Sequence, residues 1–547
     1  MDGGIAVTMC EVFQKTVALY PDVVALRTLD DSVRITWREY GSRVRQIAGK
    51  LHASGVRKGD TVALMMTNRP EFHLVDTAVF HLGAIPFSIY NTSSAGQIAY
   101  LFANAENRIV VCEKQFEPLV SSARTVLGIE DLAGGSEEFD FESVWRAVSP
   151  DDVLTLIYTS GTTGPPKGVE ITHRNIKFSM DAALSLAHFS AAAVDGRVLS
   201  YLPDAHMANR YFAHYLPMCT GATITCVSDP KTLAAALSAI RPTVFLGVPM
   251  VWYRIKAGIE KAVAAQSGLN RLIGEWALRT AHQPHGWQYA LTRRLVLDKL
   301  PAKVGLDACA APISGAAPIS VDVLKFFAAI GIPVCEGWAM SESSVHGTVN
   351  QPDALRPGTV GQPMPGVEVK LAEDGELLLR SPAVMKGYRK DPVKTAEAVD
   401  ADGWLHTGDI GTISDDGYVS IVDRKKELII NAAGKNMSPA NIENAVKVAS
   451  PLIGSVVAIG DRRPYIVALI TLDPEAGVAP DDPETVKIVA KAVQEANKTL
   501  SRVEQIKKFR ILPVYWLPGG PELTPTMKLR RKPIAERYAN EIAGLYS

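Results

Sequence analysis

Between about residue 20 and residue 440, short apolar runs alternate with longer stretches whose apolar positions recur at helical spacing. The runs at 60–66, 108–112, 223–227 and 243–247 are bounded by polar or turn residues and read as strands. The stretches at 37–54 and 231–240 read as helices. Strands that alternate with helices predict α/β sheets with parallel pairing. No self-similarity recurs at a solenoid period. The uncharged stretch 77–105 is broken by Pro86 and by Asn91-Thr-Ser-Ser94. A spanning helix needs about 20 predominantly apolar residues, so no membrane crossing is predicted.

The pattern changes near residue 360. Apolar runs at 367–371, 376–379 and 418–422 follow one another, and Asp374-Gly375, Asp402-Gly403 and Asp416-Gly417 punctuate the region. Asp-Gly pairs suit tight turns because glycine accepts positive φ, so a small β-rich subdomain is predicted. Beyond Asp423-Arg-Lys-Lys426 come a strand at 427–430, a helix at 439–450, strands at 455–459 and 466–471, and a charged helix at 483–505. The segment 473–482, with Pro474, Gly477 and Pro480, reads as a loop. The expected organisation is a large N-terminal domain of α/β sheets over 1–425, with its β-rich subdomain at about 355–425. A small mobile α+β domain follows over 426–547.

Length agrees with that division, since 547 residues exceed what one hydrophobic core supports. Charge excludes one class of partner: 57 basic residues against 58 acidic ones give no general electrostatic grip on nucleic acid. Cys10, Cys112, Cys219, Cys226, Cys309 and Cys335 form no CxxC pair and read as reduced, packed thiols. The eleven histidines show no HExxH spacing, so no structural zinc is expected. The start Met-Asp-Gly-Gly is not that of a signal peptide. A cytoplasmic location is expected, with peripheral membrane contact left open.

The sharpest chemical feature is Tyr158-Thr-Ser-Gly-Thr-Thr-Gly-Pro-Pro-Lys-Gly168. Thr159, Ser160, Gly161, Thr162, Thr163 and Gly164 are all hydroxyl residues or glycines, so backbone N–H groups there can come close to phosphate oxygens. Lys167 adds a positive charge. A Walker A loop would place Ser or Thr after the lysine, and Gly168 stands there instead.

This segment resembles the phosphate-binding signature of the adenylate-forming superfamily, which includes acyl-CoA synthetases, aryl-CoA ligases, luciferases and adenylation domains. The family's other signatures follow in the same order along nearly the whole chain. Ile313-Ser-Gly-Ala-Ala-Pro318 resembles the small-residue turn beside adenine, which implicates Gly315, Ala316 and Ala317. Glu336-Gly-Trp-Ala-Met-Ser-Glu342 resembles the segment in which Trp338 would stack on adenine, Ser341 would bond the α-phosphate and Glu342 would hold Mg²⁺. It departs from the family pattern with Trp338 for tyrosine, Ala339 for glycine at the wall of the acyl pocket, and Ser341 for threonine.

Asp409, closing Asp402-Gly-Trp-Leu-His-Thr-Gly-Asp409, falls at the ribose site. Arg424 is implied to reach ribose or phosphate, and Lys426 holds the hinge position. Ala433 and Gly434 fall in the loop that lies along the pantetheine of CoA, followed by Lys435 where many relatives carry glutamate. Glu522-Leu-Thr-Pro-Thr-Met-Lys-Leu-Arg-Arg531 resembles the C-terminal signature, which makes Lys528 the adenylation lysine. Lys167, Glu342 and Lys528 are therefore the expected catalytic residues. His206 falls at the family's aromatic or histidine gate to the acyl pocket, and a core histidine is the alternative.

The resemblance implies an acyl-CoA ligase that uses ATP, Mg²⁺ and CoA to activate a carboxylic acid through an acyl-adenylate. The C-terminal ending and the segment Arg463-Pro-Tyr-Ile-Val-Ala-Leu-Ile-Thr-Leu-Asp473 look most like long-chain fatty acyl-CoA synthetases, so a medium- to long-chain fatty acid is expected. Three rivals stand beside it: an acyl-AMP ligase loading a carrier protein, a ligase for an aryl or sterol-side-chain acid, and a silent nucleotide-binding scaffold. Oligomeric state is not legible.

Overall fold

A run of short, wholly apolar residues satisfies its backbone only between two other strands and under helices on both faces. Thr61–Met65 is buried at every position and lies parallel to Ile85–Ser88 on one side and Ile109–Cys112 on the other, with Thr125–Gly128 beyond. Helix Trp37–Ala53 packs nearby. Its start is set by a capping box between Thr36 and Glu39, and it buries Trp37, Tyr40, Val44, Ile47 and Leu51. The computed structural model describes residues 7–132, 139–159, 165–193, 195–430, 436–517, 519–524 and 527–547, the side chains of Asn436 and Glu475 excepted.

Among the described residues the strands form seven sheets. A second sheet runs Arg34–Thr36, Val24–Thr28, Thr223–Cys226, Arg197–Ser200, parallel except for its first strand. A third joins Val244–Gly247, Ala311–Ser314 and Cys335–Trp338 in parallel, then adds Thr348–Val349 and Gln362–Pro363 antiparallel. The turn at Gly315 and the turn at Ser341 leave the carboxyl ends of its strands, where open α/β sheets place ligands. Val153–Thr159 and Lys167–Thr172 form an antiparallel pair flanked by Gly387–Tyr388.

Glu368–Leu371, Glu376–Arg380, Leu405–Ile413 and Val419–Arg424 make the β-rich sheet, antiparallel throughout. Gly375, Gly403 and Gly417 adopt φ of 82°, 81° and 82°, the left-handed turns that the three Asp-Gly pairs predict. The C-terminal part has its own core, built on Ile442, Val446, Val456, Ile470 and Val489. Ile453–Ile459 pairs antiparallel with Ile466–Leu472, and Ile506–Ile511 pairs parallel with the latter.

Mixed α/β architecture with a larger N-terminal and a smaller C-terminal part is thus as the sequence predicts. Two elements differ. The strand expected at 427–430 is only Ile429–Ile430, paired with Asn436–Met437. The helix expected at 483–505 is Pro483–Thr499, because Leu500 turns to extended backbone and the chain enters the strand Ile506–Ile511. Inside 473–482 a single 3₁₀ turn, Pro474–Ala476, interrupts the loop. All six cysteines are free, four of them buried. Among the described residues no helix is long and apolar enough to cross a membrane.

Candidate active site

Asp409 sits mid-strand in Leu405–Ile413, in register with Arg424 on the neighbouring strand Val419–Arg424. Cross-strand partners place side chains about 5 Å apart, and Arg424 Nε meets Asp409 Oδ1 at 2.7 Å. The other oxygen, Oδ2, accepts the indole N–H of Trp338 at 2.7 Å. Trp338 ends the buried strand Cys335–Trp338, which fixes its ring. A carboxylate has about four acceptor sites, so two remain for ribose hydroxyls. Burial pushes the Asp409 carboxyl above the usual range, opposed first by Arg424 and then by the Trp338 hydrogen bond and the Lys528 charge.

Glu342 lies in the 3₁₀ turn Ser341–Ser343, directly after Ala339 and Met340. Its Oε1 accepts the Tyr388 hydroxyl at 2.9 Å. The Lys167 ammonium lies 3.9 Å from the centre of the Tyr388 ring, a cation–π contact. Burial lowers the Lys167 amine, with the Glu342 charge opposing. Tyr388 therefore ties the phosphate-loop lysine to the metal candidate. It reaches this position because Gly387–Tyr388 pairs antiparallel with Glu170 and Val169. Thr159 faces Lys167 across the same hairpin. Gly168 lets the hairpin lie close against Tyr158: a Cβ there would sit 3.1 Å from the Tyr158 ring and would push it back by a few tenths of an ångström.

Lys528 is tied twice to Thr524: Thr524 N–H donates to the Lys528 carbonyl at 2.8 Å, and Lys528 N–H donates to Thr524 Oγ1 at 3.0 Å. Met527 takes a φ of 65°, left-handed backbone that an unbranched side chain tolerates at some strain. Burial first, and Arg424 second, hold the Lys528 amine below the ordinary lysine value, while Asp409, Glu427 and Glu342 oppose. The residue still meets solvent, so it stands in a crowded but open cleft.

His206 borders the same cleft. Its Nδ1 accepts the Ala208 N–H at 3.1 Å and caps the short helix Met207–Arg210. Burial, and secondarily the Lys528 charge, push the ring down to about 4, so it is neutral at physiological pH. The loop that carries it is anchored from below. Asn209 donates to Asp204 Oδ1 at 2.7 Å, and Arg210 Nε donates to the Asp204 carbonyl at 3.0 Å. Arg210 is itself fully buried and ion-paired to Asp76 at 2.6 Å. An apolar cavity lined by Leu199, Tyr201, Phe212, Phe245 and Leu246 lies beside this loop.

Gly315, Ala316 and Ala317 form an open turn after Ala311–Ser314, with Ala316 at a φ of 70°. A Cβ at Gly315 would lie 3.5 Å from the Gly337 carbonyl, an ordinary contact, so the turn runs directly beside the strand that ends at Trp338. Lys426 is exposed just after Arg424. Asp423 Oδ2 accepts the Ser438 hydroxyl at 2.5 Å and the Ala440 N–H at 3.2 Å, tying the β-rich sheet to helix Pro439–Ala449. The sites expected at Ser160, Gly161, Thr162, Thr163 and Gly164, and at Ala433 and Gly434, lie outside the described residues.

The fold thus brings Lys167, His206, Trp338, Glu342, Asp409, Arg424 and Lys528 around one cleft, though they span most of the chain. Sequence reasoning missed Tyr388 and the Asp423–Ser438 link. The only signal for Tyr388 was an aromatic in Lys386-Gly-Tyr-Arg389, which no spacing rule selects. With this geometry, two family profiles match the chain: "AMP-binding enzyme" over residues 13–389 and "AMP-binding enzyme C-terminal domain" over 426–547. The chain belongs to the AMP-binding enzymes.

Within that family, this AMP-binding enzyme is 48% identical to a putative fatty-acid–CoA ligase, fadD11, of Mycobacterium tuberculosis over 454 residues, covering 77% of this chain and 78% of that one. It is 34% identical to the long-chain-fatty-acid–CoA ligase FadD15 of Mycobacterium bovis over 575 residues, covering 96% and 95%. Its fold matches that of o-succinylbenzoate CoA synthetase from Bacillus subtilis, solved with an acyl-adenylate intermediate, with a TM-score of 0.75 at 22% identity over 95% of this chain and 97% of the other.

Proposed function

We propose that this AMP-binding enzyme is an AMP-forming acid–CoA ligase whose acid is a medium- to long-chain fatty acid. The observation that carries the reading is the convergence of Lys528 with Asp409, Arg424 and Glu342 in one open cleft. Two relatives named as fatty-acid–CoA ligases, similar over most of the chain, support the substrate class. The chain works as two bodies, 1–425 and 426–547, hinged at Lys426.

In the first half-reaction a carboxylate oxygen of the acid attacks the α-phosphorus of ATP, the bond to the β-phosphate oxygen breaks, and pyrophosphate leaves. A carboxylate is ionised at neutral pH, so no general base is needed. The work is positioning and charge neutralisation. Lys528 bridges the carboxylate and the α-phosphate, Lys167 meets the outer phosphates, Asp409 holds the ribose, and Trp338 presents its face to adenine. Ser341 bonds the α-phosphate, and Gly315, Ala316 and Ala317 leave room for the base.

Glu342 suits a nucleotide-bound Mg²⁺. Tyr388 occupies one of its oxygens, and magnesium carried largely by phosphates takes only one or two protein carboxylates. Bound there, the ion would offset phosphate charge. In the second half-reaction the small body rotates about Lys426 and withdraws Lys528, and the loop at Ala433 and Gly434 receives CoA. The thiol then attacks the acyl carbonyl, AMP leaves, and the thiol proton passes to solvent. His206 and Ala339 border the acyl chain. The cytoplasm, with contact at a membrane surface, is the setting this chemistry fits.

Turnover of ATP and CoA against acids from acetate to long-chain fatty acids, with aryl and sterol-side-chain acids included, tests the reading. Acyl-CoA and AMP rising together, with kcat/KM greatest for medium or long chains, is the expected result. Acyl-AMP that accumulates while CoA stays untouched would overturn the acceptor. A maximum at aryl or sterol acids would overturn the acid.

A further inference from the structure

Leu269, Leu272 and Trp287 are 71%, 63% and 72% exposed, among the most exposed large apolar side chains of the described residues. Single exposed apolar residues are ordinary, but clustered ones mark a contact surface. These three lie on one helical hairpin, Gly268–Ala281 followed by Gly286–Leu295. The first helix turns Gly274, Ala277 and Ala281 inward, which leaves Leu269 and Leu272 three apart on the opposite face. The second anchors itself through Thr292, bonded to Thr280 at 2.6 Å, and through Tyr289, whose hydroxyl donates to the Ala329 carbonyl. Trp287, Leu291 and Leu295 recur at i, i+4 and i+8 along its outer side, a second exposed stripe.

Charge separates this stretch of the chain from the rest. Between residues 249 and 303 nine basic residues stand against three acidic ones, a net of +6, whereas the remaining chain has 48 basic against 55 acidic, a net of −7. Each of the three acids is already paired within the segment: Glu260 with Lys256, Glu275 with Arg271, and Asp298 with Arg293. Arg279 and Arg294 flank the two apolar stripes and are exposed. An exposed indole, a row of leucines and a surplus of cations on one amphipathic hairpin together fit one chemical surface, the headgroup region of an anionic bilayer.

We propose that the hairpin 268–295 docks this enzyme on anionic phospholipid membranes, with Trp287 and the leucines entering the interface and the arginines meeting lipid phosphates. The inner side of the hairpin packs Ala277 and Ala281 into the core that also contains Phe245, and Phe245 lines the apolar cavity beside the His206 loop. Docking there therefore brings the apolar cavity's subdomain to the bilayer.

Flotation of the full chain with vesicles of phosphatidylcholine, alone or with about a third phosphatidylglycerol, tests this without acid, ATP or CoA, so its outcome is independent of the ligase reading. Binding to the mixed vesicles that weakens with added salt is expected, because screening shortens the reach of surface charge. Trp287→Ser with Leu291→Ser should lower the partition coefficient at least about tenfold. Arg279→Glu with Arg294→Glu should lower it comparably, since each basic residue at such a surface contributes about fivefold. Both variants change exposed positions only, and an unshifted thermal midpoint checks that they fold. Wild-type protein that ignores the mixed vesicles, variants that float as it does, or a dimer dissolved by the serine pair with no vesicle binding would each overturn the proposal.

Discussion

Lys528 holds its charge in a cleft where burial works against it, and Asp409, Glu427 and Glu342 supply the compensation. A cation so placed acts on the charge that develops at the α-phosphate. Lys528→Ala should slow acid-dependent adenylation about 10²–10³-fold, while thioester formation from supplied acyl-AMP stays within a few-fold of normal; equal loss in both would reject the assignment. Trp338 makes a different claim. Trp338→Phe keeps an aromatic face and removes the N–H that Asp409 accepts. A hydrogen bond to a charged group contributes about 1.5–3 kcal/mol, so the KM for ATP should rise about tenfold or more, with the KM for the acid unmoved. These residues were legible because each stands in a dense local motif. Tyr388 was not, because its role comes from the strand register opposite Val169 and not from its neighbours in sequence.

At the scale of elements, Gly387–Tyr388 is the strand that joins the phosphate hairpin to the Glu342 turn. Tyr388→Phe keeps the ring beneath Lys167 and deletes the hydroxyl on Glu342. Adenylation should fall about tenfold, and raised magnesium should restore part of it; a rate unchanged at all magnesium concentrations would remove Tyr388 from the site. Helix Pro439–Ala449 begins at Ser438, whose hydroxyl accepts the Asn441 N–H and donates to Asp423. Ser438→Ala should cost about 1 kcal/mol of stability, visible as a lower denaturation midpoint. Strands such as Thr61–Met65 were legible because they are apolar at all but their first position. Ile506–Ile511 was not: Lys507, Lys508 and Arg510 break up the apolar pattern of an edge strand that begins just where the predicted charged helix ends. The short Ile429–Ile430 pair is set by its partner Asn436–Met437, which local pattern does not specify.

For the whole molecule, pH acts through histidines locked in the neutral form. His81 donates from Nδ1 to the Thr77 carbonyl and accepts from Gln14, and His173 Nδ1 accepts the Met9 N–H. Burial pushes both rings down to about 3, against about 6.5 when unfolded. The unfolded chain therefore binds more protons below pH 6.5, and stability falls as pH drops through that window toward 3. Each ring contributes about 1.4 kcal/mol per pH unit there. The thermal midpoint should decline steadily from pH 6.5 to 5, and His81→Gln should flatten the slope even if it lowers the midpoint at pH 7. An unchanged slope would mean that His81 is not the group protonated.

The division into a large and a small part was legible from changes in pattern along the chain, whereas the closeness of Lys528 to Asp409 depends on how the two parts meet, which no local pattern encodes. The central claim is that the acid attacks the α-phosphorus of ATP. Turnover of a long-chain fatty acid labelled with ¹⁸O in its carboxylate, followed by mass analysis of the products, tests it most directly. One labelled oxygen in AMP, with unlabelled pyrophosphate, is the predicted result. Label in orthophosphate, with ADP as the nucleotide product, would mean attack at the γ-phosphorus and would contradict the account.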